Sequence, residues 1–259
     1  MAEDIPSNVG DVRPNHRFDE ARLADWLRAN VEGVTGAIEV RQFHGGASNP
    51  TFLVEAGEQL LVLRKKPPGQ LLASAHQVDR EYRVMKALGT VDFPVPKMRA
   101  LCLDESIIGT SFYVMDFRAG RIFRDARLPG LEPAERSATY DELNAVLARL
   151  HQVDYAAIGL GDYGRPGNYF LRQIDRWTKQ YRGAETQHIE AMERLIAELP
   201  ARIPADDETT IAHGDYRLEN VMFIRPSRAL SRCWTGSCPP SAIRWPTSAT
   251  TPCCGPRSR

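Results

Sequence analysis

His213-Gly214-Asp215-Tyr216-Arg217-Leu218-Glu219-Asn220 is the stretch on which the reading of this chain turns. It has the form His-Gly-Asp-x-x-x-x-Asn. Ile211 lies before it and the apolar run Val221 to Ile224 after it. That pattern predicts a polar loop between two short strands. A carboxylate and an amide on one tight loop can converge on a single point.

Such a loop holds the few protein parts that phosphoryl transfer needs. These are a carboxylate to orient an acceptor hydroxyl and an oxygen ligand for Mg²⁺. On this reading Asp215 is the candidate base and Asn220 the candidate metal ligand. His213 is expected to support the loop by hydrogen bonding. The competing reading is a polar loop that matches by coincidence, but its fixed positions make the match fairly specific.

Upstream, the chain reads as a sheet followed by helices. Phe18, Leu23, Trp26, Leu27 and Val31 have helical spacing. Strand-like runs follow at Ile38 to Phe43, Thr51 to Glu55, Gln59 to Lys65 and Ser111 to Phe117. Ser74 to Leu88 is expected as a helix, with Val78, Tyr82, Met85 and Leu88 on one face. Three further helices are expected at Glu132 to Val153, Asn168 to Arg182 and Gln187 to Leu199. Sheet first and helices second is the order of a bilobal kinase.

That order gives other residues candidate roles. Gly45-Gly46-Ala47-Ser48-Asn49 separates the first two strands, where Gly46 and Ser48 would cover nucleotide phosphates. A plain glycine-rich turn would read the same. Arg64 and Lys65 end a strand, and alternation lets only one of them face inward. Arg64 is favoured because Val62 shares its face; a solvated basic strand end is the alternative. Glu81 would be the carboxylate orienting that cation, against an ordinary exposed helix glutamate. Tyr113-Val114-Met115-Asp116-Phe117 would be the hinge between lobes, where backbone groups of Asp116 and Phe117 would meet adenine. His151 reads as a packed helix histidine.

The chain resembles the aminoglycoside phosphotransferase-like family, and most of all its kinase-like domains associated with acyl-CoA dehydrogenases. The resemblance rests on Leu63-Arg64-Lys65-Lys66-Pro67-Pro68-Gly69, Asp79-Arg80-Glu81-Tyr82-Arg83-Val84 and Leu147-Ala148-Arg149-Leu150-His151. It rests equally on Arg172-Gln173-Ile174-Asp175-Arg176-Trp177 and the opening motif. It implies an α+β, bilobal, protein-kinase-like fold with an antiparallel N-lobe sheet plus helix and a truncated helical C-lobe. It implies ATP and Mg²⁺ as cofactors and a small-molecule hydroxyl as acceptor. By resemblance Asp215 is the catalytic base, Asn220 a metal ligand, and Arg64 with Glu81 the cation–carboxylate pair. A protein kinase is disfavoured, since those prefer His-Arg-Asp where this chain has His-Gly-Asp.

The family pattern also asks for an Asp soon after the Asn-containing strand, usually in Leu-Asp-Trp-Glu. No Asp or Glu follows Glu219 in this chain. The tail instead crowds cysteine (Cys233, Cys238, Cys253, Cys254) and proline. Read one base out of frame, Trp234 followed by Thr235 must yield Asp, and Cys233 followed by Trp234 must yield Leu. The neighbouring junctions permit the family's continuation. A frameshift between about Arg225 and Arg232 is therefore expected. The alternative is a genuine Cys/Pro-rich tail, whose spacings match no common zinc pattern.

The expected organisation is a disordered lead-in over residues 1–17, a nucleotide-binding lobe over 18–117, a partial helical lobe over 118–228, and an aberrant tail over 229–259. The expected function is ATP-dependent phosphate transfer to a small hydroxylated molecule, impaired by the missing Asp. A non-catalytic nucleotide binder or an inert remnant is the alternative. Basic and acidic residues balance at 33 each, which gives no reason to expect nucleic acid or an anionic membrane as partner. No signal peptide and no long apolar run is expected, and Cys102 is the only cysteine before residue 230, so a cytoplasmic location is expected.

Overall fold

The computed structural model describes residues 8–44, 49–67, 78–164, 167–204, 209–224, 231–234 and 242–243. A six-stranded sheet with order β1-β2-β3-β4-β6-β5 is built from β1 (Val9–Gly10), β2 (Ile38–Phe43), β3 (Thr51–Ala56), β4 (Gln59–Lys65), β5 (Met98–Cys102) and β6 (Phe112–Asp116). Every neighbouring pair in it is antiparallel. Gly57, with φ +62°, lets the chain reverse between β3 and β4 in two residues. That turn sets the register in which Arg64 lies opposite Thr51 on one side and Tyr113 on the other.

Strand alternation divides the sheet into two buried faces. Phe52, Val54, Leu61, Leu63, Phe112 and Val114 point to one face and pack with Leu23, Leu27 and Val31 from and just after α1 (Glu20–Asn30). Leu53, Val62, Tyr113 and Met115 point to the other and pack with Val78 and Met85 of α2 (Val78–Leu88). Asp19 caps α1, its carboxylate accepting from the Arg22 N–H at 3.0 Å. Helix α2 is described from Val78; the preceding turn expected as helix lies outside the described residues.

Residues 8–17 carry structure where a disordered lead-in is expected. Val9 pairs with Phe43, and the Arg13 N–H donates to Gln42 Oε1 at 2.9 Å. His16 Nδ1 meets the same buried amide at 2.7 Å. Few apolar residues mark this segment, so pattern reading passes over it. Backbone pairing, one buried glutamine, the Lys65 ammonium and the packing of Val9 and Val12 hold it.

Beyond the sheet come β7 (Arg121–Ile122), α3 (Pro133–Gln152), α4 (Tyr169–Ala184), α5 (Glu190–Glu198), β8 (Thr210–Ile211), β9 (Val221–Ile224), β10 (Ser231–Trp234) and β11 (Ala242–Ile243). Strand β9 pairs with both β7 and β10, and β8 with β11. On α3 the buried positions are Thr139, Leu143, Val146 and Leu150, whereas Tyr140 is exposed. The chain forms two compact units, Met1–Arg149 with His213–Pro240, and Leu150–Ala212 with Ser241–Arg259. The opening motif therefore clusters in the unit that contains the sheet. In the other unit, α4 and α5 bury none of their described side chains. No helix among the described residues is long and apolar enough to cross a membrane.

Candidate active site

Two groups of polar side chains stand out in the sheet-containing unit. The first lies on the α2 face of the sheet. Arg64 and Glu81 are 6% and 4% exposed, and Arg64 Nε is 3.2 Å from Glu81 Oε2. Tyr113 donates its hydroxyl to Glu81 Oε2 at 3.0 Å, and Asn49 Nδ2 donates to Oε1 at 2.9 Å. Both oxygens of the carboxylate are thus satisfied. Arg64 Nε sits at ion-pair distance yet makes no hydrogen bond. Burial pushes the Glu81 carboxyl above its ordinary value, and Arg64, Tyr113 and Asn49 pull back against that. Burial, and then the Glu81 charge, raise the Tyr113 hydroxyl.

Lys65, the next residue, points to the opposite face. Its Nζ donates to the His16 carbonyl at 3.1 Å and lies 4.9 Å from the Phe18 ring centroid. The ammonium is a clasp for the N-terminal segment. It is not part of the Glu81 network.

The second group is the motif loop. Gly214 takes φ +83°, a left-handed turn open to glycine at low cost. His213 is buried, and its Nδ1 accepts from the Asp215 N–H at 3.3 Å. Burial holds the His213 pKa down to about 4, so the ring is neutral at ordinary pH and acts as a brace. Tyr216 stacks edge-on against His213 and donates to the Leu143 carbonyl at 2.8 Å, tying the loop to α3. Leu218, Val221 and Phe223 anchor the far side in a cluster with Leu128 and Leu143.

These anchors bring Asp215 and Asn220 together. Asn220 Nδ2 donates to the Asp215 carbonyl at 2.9 Å and to Asp215 Oδ2 at 2.8 Å. Arg217 Nε is 3.2 Å from Asp215 Oδ1, and Arg217 Nη1 is 2.7 Å from Glu219 Oε1. The Asp215 side chain is 37% exposed, so a held carboxylate faces outward.

The remaining expected positions differ in what they offer. The N–H groups of Asp116 and Phe117 are already committed, to the Lys97 and Leu60 carbonyls at 2.9 and 3.1 Å. The Asp116 carboxylate pairs with Arg99, and Phe117 is buried in the core. Gly46 and Ser48 lie outside the described residues. Asn49, the neighbour of Ser48, is described and is part of the Glu81 network. Asn49 and Arg217 carry no role in the sequence reading, and Tyr113 enters it only as part of the hinge segment. The Asp215-x-Arg217-x-Glu219 alternation of charge is the one signal that could have found Arg217.

A magnesium ion takes near-octahedral oxygen ligands, usually with one or two carboxylates. Both oxygens of Asp215 are engaged, Glu219 holds Arg217, and β10 carries only Ser, Arg, Cys and Trp. This donor set does not fit that ion. Glu185, His188 and Glu193 converge elsewhere, but Arg182 already bridges both glutamates.

A mixed sheet-and-helix fold with a helix carboxylate clamped to a strand cation, and an Asp/Asn loop in the same unit, defines a kinase-like protein. The comparisons agree. The model of the phosphotransferase enzyme family matches residues 39–229, and the chain belongs to that family. Mouse acyl-CoA dehydrogenase family member 10 is 51% identical over 223 residues, covering 86% of this chain and 21% of that protein. The chain thus spans about a fifth of that relative's length. A solved structure of a candidate aminoglycoside phosphotransferase from Ralstonia eutropha is 53% identical, with a TM-score of 0.73, covering 83% of this chain and 63% of that one. An aminoglycoside phosphotransferase in ternary complex with ADP and hygromycin B shares the fold, with a TM-score of 0.56 at 13% identity, covering 83% of this chain and 70% of that one.

Proposed function

We propose that this chain binds ATP through Arg64 and the motif loop and directs its terminal phosphate toward a hydroxyl of a small molecule. Asp215 accepts the hydroxyl proton as the oxygen bonds to phosphorus and the bond to the ADP leaving group breaks. The observation that carries the reading is the Asp215–Asn220 contact, which aims a partly exposed carboxylate from a braced loop. The neighbour holding ADP and hygromycin B supports a nucleotide and a hydroxylated acceptor. The setting we propose is cytoplasmic, with neither nucleic acid nor membrane as partner, on the balanced charge of the whole sequence and the single cysteine before residue 230.

Transfer in this chain is impaired. The Mg²⁺ that the family resemblance implies has no carboxylate on β10 to hold it. That same observation favours a second reading, a nucleotide binder without turnover.

ATP turnover against a panel of hydroxyl acceptors, with Asp215→Ala as control, tests both. The expected result is thermal stabilisation by nucleotide with turnover near background. Robust turnover abolished by Asp215→Ala overturns the impairment. Absence of any nucleotide effect overturns the site.

A further inference from the structure

The loop that fails as a magnesium site contains a cation of its own. Among residues 213–224 Arg217 is the only Lys or Arg, against the acidic Asp215 and Glu219. With neutral His213, the loop is net negative and would repel phosphate unless a positive group turned toward it.

We infer that the phosphates of a nucleotide bound in this chain meet the Arg217 guanidinium instead of a divalent cation, so that binding is indifferent to magnesium. The inference rests on the nucleotide site proposed above. Three observations point to it. First, the carboxylate oxygens the loop could offer a metal already have partners: Asp215 Oδ1 has Arg217, Asp215 Oδ2 has Asn220, and Glu219 Oε1 has Arg217. Second, no Asp or Glu lies between Asn220 and Arg259, and the strand paired with β9 carries none. Third, the Arg217 side chain is 60% exposed, so a ligand can reach it. A guanidinium has five N–H donors in a planar fork that suits phosphate oxygens, and these two carboxylates cannot fill it.

The arrangement couples binding to the base. A phosphate that draws Arg217 away from Asp215 releases Oδ1, the oxygen then open to an acceptor hydroxyl. Arg217 is in this sense a positioning residue for Asp215 as well as a phosphate contact.

The test is calorimetric titration of ADP and of ATP into the full chain, once with excess Mg²⁺ and once with EDTA. Parent affinities are expected to agree within about twofold between the two buffers, and Arg217→Gln to bind about tenfold or more weakly in both. Arg217→Lys, which keeps the charge without the fork, is expected to fall between them. Circular dichroism on each variant separates lost binding from lost fold. Tightening of the parent by about tenfold or more with Mg²⁺, or parent-like binding by folded Arg217→Gln, overturns the inference and leaves the proposed nucleotide site standing. A parent that binds neither nucleotide in either buffer overturns both.

Discussion

Arg64 and Lys65 are adjacent, basic and buried, yet they occupy different chemical worlds. Arg64 points toward α2 and meets Glu81, which Tyr113 and Asn49 also hold. Lys65 points toward the α1 side and meets a carbonyl and the faces of Phe18 and Phe52. One residue of strand alternation separates a cation with a carboxylate partner from one without. Burial lowers the Lys65 pKa, and among the described residues no carboxylate is paired with it. Two buried charges on one strand therefore teach that position on a face, not charge, decides which partner a cation meets.

Breaking the Arg64 side is expected to have the largest effect. Glu81→Ala leaves a buried guanidinium without its counter-charge, at a cost of about 3–5 kcal/mol in urea unfolding. Arg64→Met is expected to cost less, about 1–3 kcal/mol, because the orphaned Glu81 can take up a proton. An equal loss for the two substitutions would mean that the pair is not what holds α2 to the strand. Tyr113→Phe removes one donor from the carboxylate and should cost about 1 kcal/mol by the same measurement.

The Lys65 side should be nearly silent. Lys65→Met keeps the stem's packing and removes a poorly compensated charge, so its change in stability should stay under about 1.5 kcal/mol. Its sign with pH is fixed. The folded pKa lies below the ordinary lysine value of 10.5, so the neutral amine is favoured on folding. Stability from that preference is full above 10.5 and is lost as pH falls through the lower folded value. Melting the parent beside Lys65→Met at pH 7.5 and near pH 10.5 should show the parent gaining on the variant at the alkaline end. A gap that stays constant would mean that Lys65 is solvated like any surface lysine.

Much of this contrast was legible in sequence. Val62 shares the parity of Arg64, and Glu81 falls at helical spacing from Val78, Met85 and Leu88, so alternation and periodicity converge on the pair. The Asp215–Asn220 loop was legible because its spacing is fixed within one turn. The unread parts depend on contacts distant in sequence. Asn49 reaches Glu81 across 32 residues, and Tyr216 reaches Leu143 across 73. Strand β5, after Pro94 and Pro96, shows no clean alternation before it is paired with β6. Residues 8–17 lack the apolar pattern that would have announced their order. Hinge recognition at Asp116 and Phe117 was inferred from position alone, and the sheet claims both N–H groups.

The account turns on Arg64 serving the nucleotide while Lys65 serves the fold. Titrating ADP into the parent, Arg64→Met and Lys65→Met measures that directly. The expected result is binding about tenfold or more weaker for Arg64→Met and within about twofold of the parent for Lys65→Met. Equal loss in the two folded variants, or parent-like binding by Arg64→Met, would contradict it.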